Sequence, residues 1–220
     1  MDFKKIIDHT LLKPEATSKD IANLVSQAKE YGFGHICVNS GWVKYAKELI
    51  GDAPVGIVAV VGFPLGANIT QIKVHEAELA IRHGADEIDM VINVGKFKED
   101  NFEYVLNEIK QVKKAIGNKI LKVIIETALL TQQQISKAAQ IVATSGANFV
   151  KTSTGFSYRG ATLDDIGIIK DAIGDKIAIK AAGGIKTLDD LKLFFEKGAT
   201  RFGTSSSLAI FGLGKPQGDY

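Results

Sequence analysis

The chain has 220 residues, 45% hydrophobic and 24% charged, with 27 basic against 25 acidic side chains and a formal net charge of +2. That size and apolar content fit one domain with a substantial core, and near-balanced charge without a basic stripe argues against a nucleic-acid partner. One cysteine excludes an intrachain disulfide, and with neither a secretory leader nor an apolar run of about 18 residues the expectation is a cytoplasmic protein that does not enter a membrane.

Short β-branched runs alternate with longer helical patterns along the whole chain, the signature of strand–helix units around a parallel sheet. Strands are expected at Ile6–His9, His35–Asn39, Val55–Gly62, Glu87–Val94, Ile120–Thr127, Asn148–Thr154, Ile177–Ala182 and Arg201–Thr204. Small polar caps open the first helix at Thr17-Ser18-Lys19-Asp20, the third at Asn68-Ile69-Thr70 and the seventh at Thr187-Leu188-Asp189-Asp190. Glycines 32, 84, 117, 146, 174 and 198 sit where helices turn back toward the next strand. Eight such units predict an α/β protein, a single (β/α)₈ TIM barrel over residues 1–211 with a mobile tail over 212–220; an open doubly wound sheet is the alternative. Trp42, Val43, Tyr45 and Leu49 read as a helix packing face, and Cys37 as a small buried residue in or beside the barrel.

Two strands place a lysine where a core residue is expected. In Phe149-Val150-Lys151-Thr152-Ser153 the period of two sets Lys151 with Phe149 and Ser153, and in Ile177-Ala178-Ile179-Lys180-Ala181-Ala182 it sets Lys180 with small alanines, opposite the isoleucines. Two lysines aimed into one cavity lower each other's basicity, and only a neutral amine attacks a carbonyl to form a Schiff base. In Glu87-Ile88-Asp89-Met90-Val91-Ile92 the apolar face turns Asp89 inward, where a carboxylate beside two lysines is suited to proton transfer. Lys122 and Glu126 share strand parity and are read as a lumen-side salt bridge rather than as catalytic groups. Asp8 and Thr10, at the end of a short first strand, and Tyr220, the last residue, are supporting candidates for a proton relay.

The late loops look built for an anion. Gly183, Gly184 and Lys186 lead from the seventh strand into a helix, Gly203, Ser205 and Ser206 do the same after the eighth, and Gly155 ends the Lys151 strand. Backbone amides at such glycine-rich helix starts point toward negative charge, and phosphate commonly binds at these two positions in barrels of this kind. No P-loop spacing is present, so nucleotide hydrolysis is not indicated. His9, His35, His75 and His83 lack zinc-ligand spacing, and no metal or other cofactor is expected.

The segments Val61-Gly62-Phe63-Pro64-Leu65-Gly66, Ala85-Asp86-Glu87-Ile88-Asp89-Met90, Phe149-Val150-Lys151-Thr152-Ser153-Thr154-Gly155 and Lys180-Ala181-Ala182-Gly183-Gly184-Ile185 closely resemble deoxyribose-phosphate aldolase, as do Asp8-His9-Thr10 and Arg201-Phe202-Gly203-Thr204-Ser205-Ser206. The resemblance implies a metal-independent class I aldolase that reversibly cleaves 2-deoxy-D-ribose 5-phosphate to acetaldehyde and D-glyceraldehyde 3-phosphate in deoxynucleoside catabolism, commonly as a homo-oligomer. It implies the Schiff base on Lys151, with Lys180 and Asp89 tuning the nucleophile and moving protons, and a terminal tyrosine, here Tyr220, transferring a proton at C2. The pattern departs at Phe156, where some members of the family carry a lysine, and Lys186 offers a substitute cation. The alternatives are another Schiff-base sugar-phosphate aldolase or transaldolase, and a non-catalytic sugar-phosphate-binding protein.

Overall fold

Alternating apolar residues on each short strand require cover on the outer face, and amphipathic helices in the intervening segments supply it. In the computed structural model, which describes residues 2–214, the eight strands are β1 (Ile7–Leu11), β2 (His35–Asn39), β3 (Gly56–Val61), β4 (Glu87–Val91), β5 (Ile120–Ile124), β6 (Phe149–Lys151), β7 (Ala178–Ala182) and β8 (Arg201–Thr204). They form one closed parallel barrel in chain order, with β8 paired back to β1 through Asp8 opposite Gly203. The helices are α1 (Ser18–Tyr31), α2 (Val43–Ile50), α3 (Thr70–Arg82), α4 (Val94–Lys98), α5 (Phe102–Ile116), α6 (Gln132–Ala143), α7 (Leu163–Ile173), α8 (Leu188–Glu196) and α9 (Ser207–Ile210).

The strands fall at the eight expected places, and several stop earlier than the hydrophobic pattern suggests. β4 ends at Val91 because Asn93 caps the short helix α4, accepting from the Lys96 amide at 3.0 Å, so the gap after β4 holds two helices where one was expected. β5 ends at Ile124 because Glu126 turns into the left-handed region at φ 52° and a 3₁₀ turn follows over Thr127–Leu129. The predicted caps hold at Thr17, whose amide donates to Asp20 at 2.8 Å, and at Thr187, which exchanges bonds with Asp190. At α3 the cap position is Ile69, and the Thr70 hydroxyl donates to the Tyr104 hydroxyl instead. Of the expected tail only residues 212–214 are described; Tyr220 lies outside the described residues. No helix among the described residues is long and apolar enough to cross a membrane.

The apolar core lies between the sheet and its helices, where Ile36, Val38, Ile57, Ile88, Val123, Val150, Ile179 and Phe202 face outward. Inside the barrel the apolar cluster is small, made of Leu12, Cys37, Val58 and Val60 with Phe63 against it. The rest of the lumen is polar, which is what positions the site.

His9, fully buried on the outer face of β1, ties the two ends of the barrel together. Its Nδ1 lies 2.6 Å from Ser207 Oγ at the start of α9, its Nε2 lies 2.8 Å from Gln27 Oε1 on α1, and burial pushes its pKa down to about 4. A buried neutral imidazole means the unfolded chain takes up a proton first as pH falls. Stability should therefore drop by about 3 kcal/mol as pH falls from 6.5 to 4, then gain no further loss from this group. Urea-unfolding midpoints across that range, compared with a His9→Gln variant that lacks the titration, measure the contribution.

Candidate active site

Side chains alternate along each strand, so the inward positions of several strands converge in the lumen. Asp8 from β1, Glu87 and Asp89 from β4, Lys122 from β5, Lys151 from β6, Lys180 from β7 and Arg201 from β8 meet there, all buried. Lys122 Nζ lies 2.6 Å from Glu87 Oε2 and 2.7 Å from Asp89 Oδ1. Lys180 donates to Asp8 Oδ2 and, at 2.6 Å, to Asp89 Oδ2. Arg201 closes the N-terminal end of the lumen, its Nε 2.6 Å from Asp8 Oδ1 and its Nη2 2.8 Å from Glu87 Oε2, with His35 Nε2 3.3 Å from the other Glu87 oxygen. Lys151 Nζ donates to Asp89 Oδ2 at 2.7 Å, the same oxygen that Lys180 uses, and among the described residues Asp89 is its one ion-pair partner.

Three carboxylates therefore face four basic side chains. With Lys122, Lys180 and Arg201 charged the carboxylates are already balanced, so a proton on Lys151 adds the one unbalanced charge in a buried space. Burial first, and the Lys180 ammonium second, pull the Lys151 pKa down against the pull of Asp89. Lys180 goes the other way: burial opposes its charge, but Asp8 and Asp89 outweigh it and hold the ammonium above the ordinary lysine range. The two lysines thus do not depress each other equally. Burial likewise opposes the charge on Asp89, and Lys122, Lys151 and Lys180 overcome it, keeping this carboxyl well below the usual range. Burial raises the Cys37 thiol to about 11, which makes it a poor nucleophile.

On the same C-terminal face, the loops after β6, β7 and β8 enclose a cavity of about 350 Å³ whose walls include Gly155, Gly183, Gly184, Lys186, Ser205 and Ser206. Close approach of two loops makes glycine necessary here: a Cβ on Gly160 would lie 2.3 Å from the Gly183 carbonyl carbon, and Gly183 itself has φ 73°. Of the residues expected at this pocket, Gly203 alone stands elsewhere, facing the lumen, where a Cβ would meet Lys180 Cε at 3.2 Å. Phe156 packs edge-to-face on Phe63 at 5.3 Å rather than lining the cavity. Asp8 joins the lysine cluster, whereas the Thr10 hydroxyl is directed to the Asp8 carbonyl at 2.7 Å.

The Lys122–Glu126 pair expected from strand parity does not form, because β5 ends between them. Lys122 pairs with Glu87 and Asp89, and Glu126 turns away to accept from the amide and hydroxyl of Thr154, where burial raises its pKa. Sequence reading also passed over Glu87, Arg201 and Arg159. The signal for the first two was present, since Glu87 shares parity with Asp89 and Arg201 with Gly203; nothing in a strand pattern marks Arg159, which sits in a loop. Among the described residues no group of His, Cys, Asp or Glu is arranged to hold a metal ion.

The lumen thus holds a lysine with one carboxylate partner among the described residues, and the same face of the barrel carries a glycine-lined cavity. A family model described as DeoC/LacD family aldolase matches residues 4–212. The chain belongs to that aldolase family. It is 61% identical over 210 residues to the deoxyribose-phosphate aldolase of Mycoplasma mobile, covering 96% of this chain and 97% of that one, and 63% identical over 213 residues to that of Mycoplasmopsis synoviae, covering 96% of each. Among solved structures it resembles an aldolase named QR15, with TM-score 0.92, 40% identity, and 96% and 94% of the two chains covered. It also resembles the deoxyribose phosphate aldolase of Aeropyrum pernix, with TM-score 0.87, 30% identity, and 96% and 90% covered.

In this aldolase Asp89 is the shared partner of three lysines, so its neutral isostere takes the common carboxylate from the buried Lys122 and Lys180 ammonium groups and from the Lys151 amine. Asp89→Asn should lower stability by about 3–5 kcal/mol, read as a shift of the denaturant midpoint at pH 7. An unchanged midpoint would mean that the cluster does not bear on stability.

Proposed function

We propose that this protein reversibly cleaves 2-deoxy-D-ribose 5-phosphate to acetaldehyde and D-glyceraldehyde 3-phosphate through a Schiff base on Lys151, as a cytoplasmic homo-oligomer acting in deoxyribose phosphate catabolism. The observation that carries the reading is the buried Lys151 amine, whose pKa burial and the neighbouring Lys180 ammonium lower against its carboxylate partner Asp89. The names of its full-length relatives point to the same substrate, and the Aeropyrum pernix relative is described as tetrameric.

The positions support the following chemistry. Neutral Lys151 attacks C1 of the open-chain sugar, and loss of water leaves an iminium. That iminium draws the electron pair of the C2–C3 bond as the C3 hydroxyl gives up its proton, releasing the three-carbon aldehyde and leaving an enamine. Protonation at C2 and hydrolysis then return acetaldehyde and the free amine. Lys180, held charged by Asp8 and Asp89, stands on the same Asp89 oxygen as Lys151 and is placed to pass protons to and from the reacting atoms. Asp89 serves as the counter-ion that aligns the two nitrogens. The phosphate, in the pocket of Gly155, Gly183, Gly184, Ser205 and Ser206 with Lys186 at its edge, anchors the substrate through a group remote from the bond that breaks. Tyr220 lies outside the described residues and is given no step.

Incubation with acetaldehyde and borohydride, followed by peptide mapping, should place a reduced two-carbon adduct on Lys151; adducts only on scattered surface lysines would sink the assignment. Lys151→Ala should abolish cleavage while keeping the fold, as judged by circular dichroism. A product mixture containing dihydroxyacetone phosphate, or a transferred three-carbon unit, would favour a different sugar-phosphate aldolase or transaldolase. Because attack needs the unprotonated amine, kcat/KM should rise with pH through the lowered Lys151 pKa, below the ordinary 10.5. Lys180→Met removes a cation that depresses Lys151, so the rising limb should move to higher pH and turnover should fall by about 10²–10⁴.

A further inference from the structure

Arg159 forms part of the anion pocket wall, yet both of its terminal nitrogens are engaged by oxygens of the protein. Nη1 lies 2.5 Å from Asp165 Oδ2 and donates to the Gly160 carbonyl at 3.0 Å, while Nη2 lies 3.2 Å from Asp165 Oδ1 and donates to the Thr127 carbonyl at 3.1 Å. Asp165 is buried at the first turn of α7 and also accepts from the Thr127 hydroxyl at 2.9 Å and from the Thr162 amide at 3.1 Å. One guanidinium thus joins three segments: the turn after β5, the loop after β6 and the start of α7. The loop it grips runs from Gly155 to Gly160, and Gly160 is the residue packed on the Gly183 backbone, with Ala161 N donating to the Ala182 and Gly183 carbonyls at 3.1 and 3.2 Å. A shift of this loop therefore moves two walls of the pocket together.

We propose that Arg159 and Asp165 form a clasp that sets the shape of the anion pocket, and through it the affinity for a phosphate ester, without Arg159 itself contacting the phosphate. Its charge is neutralised by a bidentate partner, and both terminal nitrogens already serve carboxylate and carbonyl oxygens. Arg159 is a positioning residue in this account, which rests on the reading that the cavity takes the substrate's phosphate.

The test uses Arg159→Ala, Arg159→Lys and Asp165→Asn in the full chain, with three readouts: kcat and KM for 2-deoxyribose 5-phosphate, kcat/KM for unphosphorylated 2-deoxyribose, and the Kd of inorganic phosphate by calorimetry. Arg159→Ala and Asp165→Asn should each raise KM for the phosphate ester and the phosphate Kd by about tenfold, with kcat and the unphosphorylated reaction within about twofold. Arg159→Lys should not restore affinity, because one ammonium does not span Asp165, Gly160 and Thr127. Tighter phosphate binding in Asp165→Asn would mean that Arg159, once released, is itself a ligand, and would overturn the clasp. Full recovery by Arg159→Lys, or equal losses on both sugars, would overturn it as well. If the unaltered protein turns over neither sugar, the substrate reading fails, and the phosphate Kd values alone decide the clasp.

Discussion

Everything in the lumen of this barrel depends on the carboxylate of Asp89. It is the one acid that touches Lys122, Lys151 and Lys180, and so it couples their protonation states. Isolated, any of these charges would be costly to bury; together they are tolerated because each cation but one has a second acidic partner. Lys122 has Glu87, Lys180 has Asp8, and Arg201 bridges Asp8 and Glu87. The exception is Lys151. The basicity of this lysine is lowered through the arithmetic of its neighbours, and the second lysine contributes by remaining charged.

The lumen and the rim of this face are built on different physics. At the lumen, low polarizability and fixed ionic partners magnify small differences in charge. At the rim, glycine backbones pack so closely that the loops after β6 and β7 behave as one surface, and small hydroxyl side chains from the loop after β8 complete the cavity. Rigid strands hold the first and short loops hold the second, which keeps the charged lumen and the glycine-lined cavity apart on one face of the barrel.

The sequence told the architecture almost completely, since strand parity and helix punctuation are local signals. Lys151, Lys180 and Asp89 were legible because each interrupts an apolar alternation, and their meeting needed only the closure of the barrel. The glycine-rich loops that line the cavity were legible by composition, with one misplacement: Gly203 belongs to the strand and makes room for Lys180. What parity does not give is where a strand stops. Lys122 and Glu126 look like partners four residues apart, but the left-handed turn at Glu126 sends its carboxylate to Thr154. Partner choice across strands was also hidden, because whether Lys122 meets Glu87 or Glu126 depends on the stagger between β4 and β5, in which Asp89 lies opposite Lys122. Arg159 belongs to a loop without periodicity, so only three dimensions reveal what it holds.

The ionic layer has a consequence for folding as well. Six strands, β1, β4, β5, β6, β7 and β8, each contribute at least one of its charged groups. A slip of any of these strands by a single residue would turn its charge outward into the apolar layer beneath the helices and strand its former partners in the lumen. Apolar cores tolerate approximate matches; a ring of paired charges does not. The same residues that lower the basicity of one amine therefore act as a combination lock on barrel assembly, rejecting misaligned closures that hydrophobic packing alone would accept.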